Sequence, residues 1–241
     1  MAGWSQSGKT DQGIQESLVL GIDTATSTMG VALIRGETTL AGRWRHGGGE
    51  HCRDLVPWIE GLLEESGVQV QELAAVGVAC GPGSFTGLRT GLATAKGLAL
   101  ALGCALVGVP TLEAMACLAA GAAGVICPLL PSRRGEVYAA CYQWRQGSPV
   151  RVSPYWVGPP EKLGELLPEG EPVIFVGQAG PTGTGMPADL SLGGRVLPAP
   201  HHPPLALAVA LLGWQRFMRG EVDGPSLRAI YLSPGNFRQI R

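Results

Sequence analysis

A glycine-rich segment between an apolar strand and a helix constrains this chain more than any other feature. Gly81 to Gly87 (GPGSFTG) follows an apolar run at 74–80 and precedes a helical pattern that reaches about Gly103. Glycines allow positive φ and bring backbone amides close to a ligand, so strand, loop and helix in this order suit an anion-binding loop. Ser84 or Thr86 would serve equally well as a helix N-cap. A phosphate site and a structural turn both remain open at this point.

The helix after the loop has small residues at every fourth position, so one of its faces lacks large side chains. Each interior glycine costs about 1 kcal/mol of helix propensity, and we expect a close backbone contact to offset that cost. The partner of this face is a helix of the same chain, such as 111–120, or a second subunit. The residues of the face are Gly87, Gly91, Ala95, Ala99 and Gly103.

The order of apolar and helical patterns predicts an α/β fold with mixed sheets flanked by helices. Residues 124–142 repeat the strand, polar turn and strand of 18–34, which suggests a duplicated domain and leaves two unrelated hairpins as an equal alternative. Residues 146–200 are rich in proline and glycine, with one apolar strand at 172–177. The predicted strands are 18–23, 30–34, 38–44, 74–80, 105–109, 124–130 and 136–144, and the predicted helices are 52–65, 86–103, 111–120 and 205–218.

Composition narrows the class of function. The formal net charge of -1 gives no basis for binding nucleic acid or a membrane through bulk charge. A long uncharged run, 114–130, is interrupted by glycine and proline and does not resemble a membrane span. Six cysteines without a C-x-x-C pair favour reduced thiols, and no signal peptide is evident. We therefore expect a cytoplasmic protein.

The first residues contain a P-loop pattern that lacks its structural setting. Residues 3–10 (GWSQSGKT) match G-x-x-x-x-G-K-[ST], but only two residues precede them and no apolar helix follows. A working P-loop needs a buried strand before it and a helix after it. Residues 1–17 are therefore predicted to be a flexible N-terminal extension.

Several motifs together resemble the TsaB (YeaZ) family, whose members act with TsaD and TsaE in forming threonylcarbamoyladenosine on transfer RNA. The resemblance covers about 18–145 and is most specific at GPGSFTG. The motifs are LGIDTAT at 20–26, His51 with Leu55 and Pro57, GPGSFTGLRTG at 81–91, GVPTLEA at 108–114 and RRGEVY at 133–138.

The resemblance implies an actin/hexokinase/Hsp70-like (ASKHA) fold with two related lobes at 18–110 and 111–241, the final helix packing back on the first lobe. It also implies a non-catalytic subunit that pairs with TsaD and meets tRNA only through the complex. No catalytic residue and no membrane partner are expected. A homodimer of this chain is a further possible assembly that the sequence does not decide.

A degenerate nucleotide site is expected around the first hairpin. In ATP-using members of the fold a glycine stands two residues after the aspartate, where this chain has Ala25, and Pro131 stands where most relatives have aspartate. Both changes disfavour ATP hydrolysis by this chain alone. No cofactor of its own is expected, with ATP or ADP at the joint with partner subunits left open. The candidate nucleotide residues are Asp23, Thr24, Gly83, Ser84 and Thr86.

Partner binding is predicted for the helices at about 52–65 and 86–103. The predicted contact residues are His51, Leu55, Gly87, Gly91, Ala95, Arg133 and Arg134. No metal site is expected, because His46 and His51 are separated by a glycine-rich spacer and have no third ligand. An alternative function is an autonomous ASKHA ATPase or kinase that uses Asp23 and the 81–87 loop. A metallopeptidase is disfavoured because no histidine and glutamate zinc helix is present.

Overall fold

The first sheet has five strands in the described residues, in the order β3-β2-β1-β4-β5. The computed structural model describes residues 16–47, 51–133, 135–177, 195–198 and 205–232. β1 is antiparallel to β2 and parallel to β4, and its six residues are buried. This burial on both faces explains the continuous apolar run in the sequence. The strands are β1 (Leu18–Asp23), β2 (Thr28–Arg35), β3 (Thr38–His46), β4 (Leu73–Ala79) and β5 (Ala105–Val109).

The second sheet repeats the topology of the first. Its main path is β10-β7-β6-β11-β12, and β8 pairs with β6 and β9. Its central strand β6 is antiparallel to β7 and parallel to β11, as β1 is to β2 and β4. The ASKHA-type duplicated α/β fold is thereby confirmed. The strands are β6 (Val125–Pro131), β7 (Val137–Ala139), β8 (Tyr142–Arg145), β9 (Ser148–Arg151), β10 (Trp156–Gly158), β11 (Val173–Gly177) and β12 (Arg195–Pro198).

Helices cover both faces of the first sheet. The helices are α1 (His51–Glu65), α2 (Phe85–Leu102), α3 (Thr111–Ala116) and α4 (Leu205–Met218), with short 3-10 turns at Val70–Glu72, Cys117–Ala119 and Pro160–Glu165. α1 and α2 share a core with Leu20 and Ile22 of β1. α4 contacts the opposite face, where Val19 and Ala210 belong to one cluster. No described helix has the length and apolar character needed to cross a bilayer.

The final helix approaches the first sheet at backbone distance. A Cβ on Gly21 would lie 2.2 Å from the Ala206 carbonyl oxygen, and one on Gly77 would lie 2.9 Å from that of Val209. Glycine is therefore required on this face of β1 and β4 for α4 to pack so closely. The last described helix of the sequence is in this way a component of the first lobe's core.

Several predicted elements match the structure in type and position. Strand 105–109 and helix 205–218 have the predicted bounds. The predicted strand 136–144 was wrong as a single element, because it divides into β7 and β8. Helix 111–120 is α3 followed by a 3-10 turn, and region 146–200 contains β9, β10 and β12, which were not predicted. Residues 3–10 lie outside the described residues, and the lobe boundaries remain a prediction.

Candidate functional site

The turn after β1 holds a buried carboxylate. Asp23 is 1% exposed and accepts hydrogen bonds from the Ala25 amide at 2.9 Å and from the Thr26 hydroxyl at 3.1 Å. Burial raises the pKa of Asp23 from 3.8 to about 6, while the bonds from Ala25 and Thr26 act in the opposite direction. The same turn is closed by the Thr28 amide, which donates to the Thr26 hydroxyl at 3.2 Å. Asp23 is therefore satisfied within its own turn.

The glycine-rich loop docks directly on this turn. The Ser84 amide donates to the Ala25 carbonyl at 2.8 Å, and a Cβ on Gly83 would lie only 2.3 Å from that oxygen. The Thr24 hydroxyl, which is buried, donates to the Gly87 carbonyl at 2.7 Å. The structure thus brings the loop and the β1 turn together as the sequence predicted. Direct hydrogen bonds to the carbonyl oxygens of Ala25 and Gly87 join the two segments.

The start of α2 is also shaped by contact with Thr24. A Cβ on Gly87 would lie 1.9 Å from the Thr24 carbonyl oxygen, and one on Gly91 would lie 2.3 Å from the Thr24 hydroxyl oxygen. Ser84 is the N-cap of α2, its hydroxyl accepting from the Gly87 amide at 3.3 Å. Of the two roles left open for this loop, the described contacts are those of a structural turn and helix cap.

The other end of the loop is fixed by the start of α3. The Thr111 hydroxyl accepts from the Gly81 amide at 3.2 Å, and the Thr111 amide donates to the Gly81 carbonyl at 2.9 Å. The Gly81–Pro82 peptide bond is cis, and Gly81 has a φ of 109° that only glycine adopts readily. The loop is therefore anchored at both ends by backbone hydrogen bonds.

These contacts do not suit a nucleotide phosphate at the predicted residues. The space that the missing side chains of Gly83 and Gly87 leave is filled by the carbonyl oxygens of Ala25 and Thr24. Carbonyl oxygens repel phosphate, and the Ser84 amide already has an acceptor. Thr86 is exposed at the start of α2. The five candidate nucleotide residues therefore lie close together, and the polar groups of Asp23, Thr24 and Ser84 are hydrogen-bonded to Ala25, Thr26 and Gly87 of the same two segments.

The second hairpin lacks the corresponding carboxylate. Pro131 is the last residue of β6, as Asp23 is of β1, and it pairs with Val137. The turn that follows is tight, because the Ser132 amide donates to the Glu136 carbonyl at 2.8 Å. Proline has neither a carboxylate nor an amide hydrogen, so it supplies no metal or phosphate ligand. Among the described residues no cluster of metal-ligating side chains is found.

Four of the predicted partner-binding residues lie inside the protein. Leu55 is 0% exposed in the first core, and Gly87, Gly91 and Ala95 belong to the buried face of α2. Contact between these four residues and a partner would require the chain's own packing to be displaced. Arg133 is exposed in the turn after β6. Arg134 and the side chain of His51 lie outside the described residues.

A second stripe of small residues on α2, missed in the sequence, faces outward. Ala93, Gly97 and Ala101 also recur at every fourth position, and all three are exposed. A Cβ on Gly97 would meet nothing within 4 Å. Leu100 beside them is 80% exposed, and Val56 of α1 is 47% exposed. The signal was present in the sequence, but spacing alone does not tell which of two small-residue faces is covered.

Known proteins are similar to this chain in sequence and in fold. A family model described as TsaD: tRNA N6-adenosine threonylcarbamoyltransferase matches residues 46–175. The tRNA threonylcarbamoyladenosine biosynthesis protein TsaB of Bacillus subtilis (strain 168) is 33% identical over 200 residues, covering 82% of this chain and 87% of that protein. The protein of the same name from Escherichia coli (strain K12) is 38% identical over 128 residues, covering 52% and 54%.

A solved structure shows that the similarity includes the three-dimensional fold. YeaZ from Pseudomonas aeruginosa superposes with a TM-score of 0.77 at 27% sequence identity, covering 90% of this chain and 100% of that one. The superposition therefore reaches well beyond residue 145, where the motif resemblance ends.

Proposed function

Because the chain belongs to the TsaB (YeaZ) family of tRNA threonylcarbamoyladenosine biosynthesis proteins, we propose that it is a non-catalytic subunit that pairs with TsaD. In this role TsaD carries out the transfer, and this chain supports it as a heterodimer partner. It meets tRNA only through the complex. TsaE joins the same assembly, and the complex is cytoplasmic.

The single observation that carries the proposal is the bonded contact between the β1 turn and the 81–87 loop. Two segments that would have to surround a phosphate instead hold each other, through Ser84 to Ala25 and Thr24 to Gly87. Pro131 supplies no carboxylate from the second hairpin. These features favour a supporting subunit over an ATP-hydrolysing one.

The exposed face of α1 and α2 is the surface we propose for TsaD. It carries Val56, Ala93, Gly97, Ala101 and Leu100, and is defined here as the outer helical face. Small residues let a partner helix come close, and Leu100 offers an apolar side chain for it to bury. The face replaces Leu55, Gly87, Gly91 and Ala95 in the predicted interface, and it keeps the two helices that the sequence indicated.

The biological test is nucleoside analysis of tRNA from cells depleted of this protein. Threonylcarbamoyladenosine is expected to fall as the protein is lost and to return when the wild-type gene is supplied. An unchanged content of the modified nucleoside would overturn the proposal.

The interface test uses two variants of the outer helical face, Gly97→Leu and Leu100→Glu. Both are expected to lose co-purification with TsaD without lowering the melting temperature of the isolated chain, because neither position packs inside it. Val150→Glu in β9 is the matched control, since Val150 is also an exposed apolar residue at 41%. Retained binding by both outer-face variants would show that TsaD binds elsewhere.

The competing function, an autonomous ATPase or kinase, makes a different prediction for the isolated chain. It requires ATP to bind at Asp23 and the 81–87 loop. Calorimetry of the purified chain with ATP and magnesium is expected to show no binding, whereas ATP or ADP binding only after TsaD and TsaE are added would place the nucleotide at their joint. Light scattering of the isolated chain measures whether it forms a homodimer. If the homodimer uses the outer helical face, added TsaD is expected to displace it.

A further inference from the structure

Two cysteines face each other across the second sheet. Ile126 of β6 pairs with Tyr142 of β8, and Leu129 of β6 pairs with Ala139 of β7. Both pairs belong to the same antiparallel register, which places Cys127, the residue after Ile126, opposite Cys141, the residue before Tyr142. Cys141 lies between β7 and β8, at the break that the sequence did not predict.

The two side chains point into the same core. Cys127 is 0% exposed and Cys141 is 1% exposed, and both belong to the cluster that contains Val125 and Leu129. Their thiols lie within hydrogen-bonding reach of each other. Directly opposed residues in an antiparallel pair have Cβ atoms about 4.5–5.5 Å apart, and a disulfide needs about 3.5–4.5 Å. A small movement would therefore suffice to join the two sulfurs.

The two thiols have surroundings that shift their pKa values in opposite directions. The hydrogen bond from Cys127 lowers the pKa of Cys141, with a further contribution from Ser153, and the same bond together with burial raises the pKa of Cys127. The Ser153 hydroxyl also accepts from the Cys141 amide at 2.7 Å. Ser153 is half-buried, whereas both thiols lie in the core. Cys141 is the thiol that carries negative charge more readily.

Other described cysteines have a different environment. Cys80 and Cys104 lie in the core of the first lobe, and burial raises the pKa of their thiols to about 12 and about 11. Thiolate is the reactive form, so these two positions are expected to react slowly. They provide an internal comparison within the same chain.

We propose that Cys127 and Cys141 form a redox-sensitive dithiol that a hydroperoxide converts to an intramolecular disulfide. The Cys141 thiolate attacks the peroxide, the O–O bond breaks, and Cys141 becomes a sulfenic acid as hydroxide leaves. Cys127 gives up its proton and attacks the Cys141 sulfur, forming the S–S bond and displacing a second hydroxide. With the two thiol protons, hydrogen peroxide is reduced to two waters and the dithiol is oxidised.

The disulfide would join the middle of β6 to the break between β7 and β8. It would close a loop that contains the turn with Arg133 and restrict the unfolded chain. Oxidation is therefore expected to shift the melting temperature upward, and dithiothreitol is expected to reverse the shift.

The test is peptide mapping of the folded full-length chain after hydrogen peroxide, with free thiols alkylated before digestion. Trypsin cuts after Lys96, Arg133, Arg134 and Arg145, so Cys127 falls in peptide 97–133 together with Cys104 and Cys117, and Cys141 falls in peptide 135–145. Fragmentation of the linked pair in the mass spectrometer identifies which cysteine is joined to Cys141. The linked peptide pair is expected in the wild type and is expected to be lost on reduction. Its absence, or a link from Cys127 to another cysteine, would overturn the proposal.

Two single variants separate the steps. Cys127→Ser is expected to stop at the sulfenic acid of Cys141, which dimedone traps, whereas Cys141→Ser is expected to give neither adduct nor link. Because serine in the core can impair folding, the wild type is also compared with and without urea. Formation of the link only in urea would show that the folded chain does not present the pair, and this result would equally overturn the proposal.

Discussion

At the scale of single residues, Asp23 shows how this chain uses a carboxylate for structure. The carboxylate closes its own turn and is removed from water, so its charged form costs free energy that partial hydrogen bonding offsets incompletely. The Thr26 hydroxyl has one proton to share between Asp23 and the Thr28 carbonyl. The residue that the sequence indicated for phosphate chemistry is therefore a buried turn residue with a modest electrostatic penalty.

Asp23→Asn is expected to change how stability depends on pH. The pKa of Asp23 is about 6 when folded against an ordinary 3.8, so the folded state binds the proton more tightly than the unfolded state. This contribution to stability is present below about pH 4 and is lost as pH rises to about 6, by about 3 kcal/mol. The asparagine variant lacks the loss, because its amide side chain does not ionise between pH 4 and 7. Urea unfolding from pH 4 to 7 measures the difference.

Asp54→Asn on α1 is the control for removing a carboxylate, because Asp54 forms a surface ion pair with Arg45. The pH dependence of Asp23→Asn relative to wild type should exceed that of this control. Identical pH dependence of wild type and Asp23→Asn between pH 4 and 6 would contradict the assignment.

Two glycine-to-alanine changes on α2 are expected to have opposite effects. In Gly87→Ala the new methyl group would meet the Thr24 carbonyl, and overpacking of this kind costs about 1–3 kcal/mol. In Gly97→Ala the methyl group enters open space, and helix propensity improves by up to about 1 kcal/mol. Urea unfolding measures both, each serving as the control for the other. Effects of the same sign would show that the two faces of α2 are wrongly assigned.

At the scale of elements, one ion pair joins α3 to α4. The Arg216 guanidinium donates to both carboxylate oxygens of Glu113 at 2.8 Å and also to the Gly108 carbonyl. Both side chains are largely buried, with exposed fractions of 21% and 15%. Asp223 accepts from the Gly108 amide at 2.8 Å, so the end of β5 is held from both sides.

Arg216→Met is expected to destabilise the chain by about 3 kcal/mol, because it leaves the Glu113 carboxylate buried without a partner. The double variant Glu113→Leu with Arg216→Met should recover most of that loss. Arg219→Met, which breaks an exposed ion pair with Glu221, should change stability by less than about 1 kcal/mol. Urea unfolding of wild type, Glu113→Leu, Arg216→Met and the double variant gives the coupling free energy. Additive effects of the two single variants would mean that the pair is not one unit.

The elements differ in how well the sequence predicts them. α4 was predicted because fourteen residues of helical apolar pattern define it. β10 has three residues and β12 four, too few for a period to emerge, and both depend on neighbours distant in sequence. The site was predicted in position, since the β1 turn and the 81–87 loop do meet. What could not be predicted was that their backbones would bond to each other, because that depends on tertiary distances of a few tenths of an ångström.

At the scale of the whole molecule, the first lobe is built from both ends of the described chain. α4 packs on β1, β4 and β2, and Gly21 and Gly77 allow its backbone to touch the sheet. A fragment that stops at residue 110 would expose that face of the sheet to water. The predicted lobe of 18–110 is therefore incomplete without residues from the end of the second lobe.

Expression of residues 1–110 alone is expected to give a chain without a cooperative thermal transition. The control is the full chain cut by a protease at an engineered site in the Gln146–Gly147 turn, where both pieces stay present. The cut chain should keep the transition because α4 remains on the first sheet. Circular dichroism during heating measures this, and a cooperative transition in the 1–110 fragment would contradict the predicted dependence on α4.

The bonded contact between the β1 turn and the 81–87 loop has a consequence for cell physiology. If no nucleotide binds between these two segments, as we propose, the shape of this lobe would not vary with the cell's ratio of ATP to ADP. The protein would offer TsaD the same surface during starvation and during growth. Any sensitivity of tRNA modification to energy supply would then have to arise in the other members of the complex.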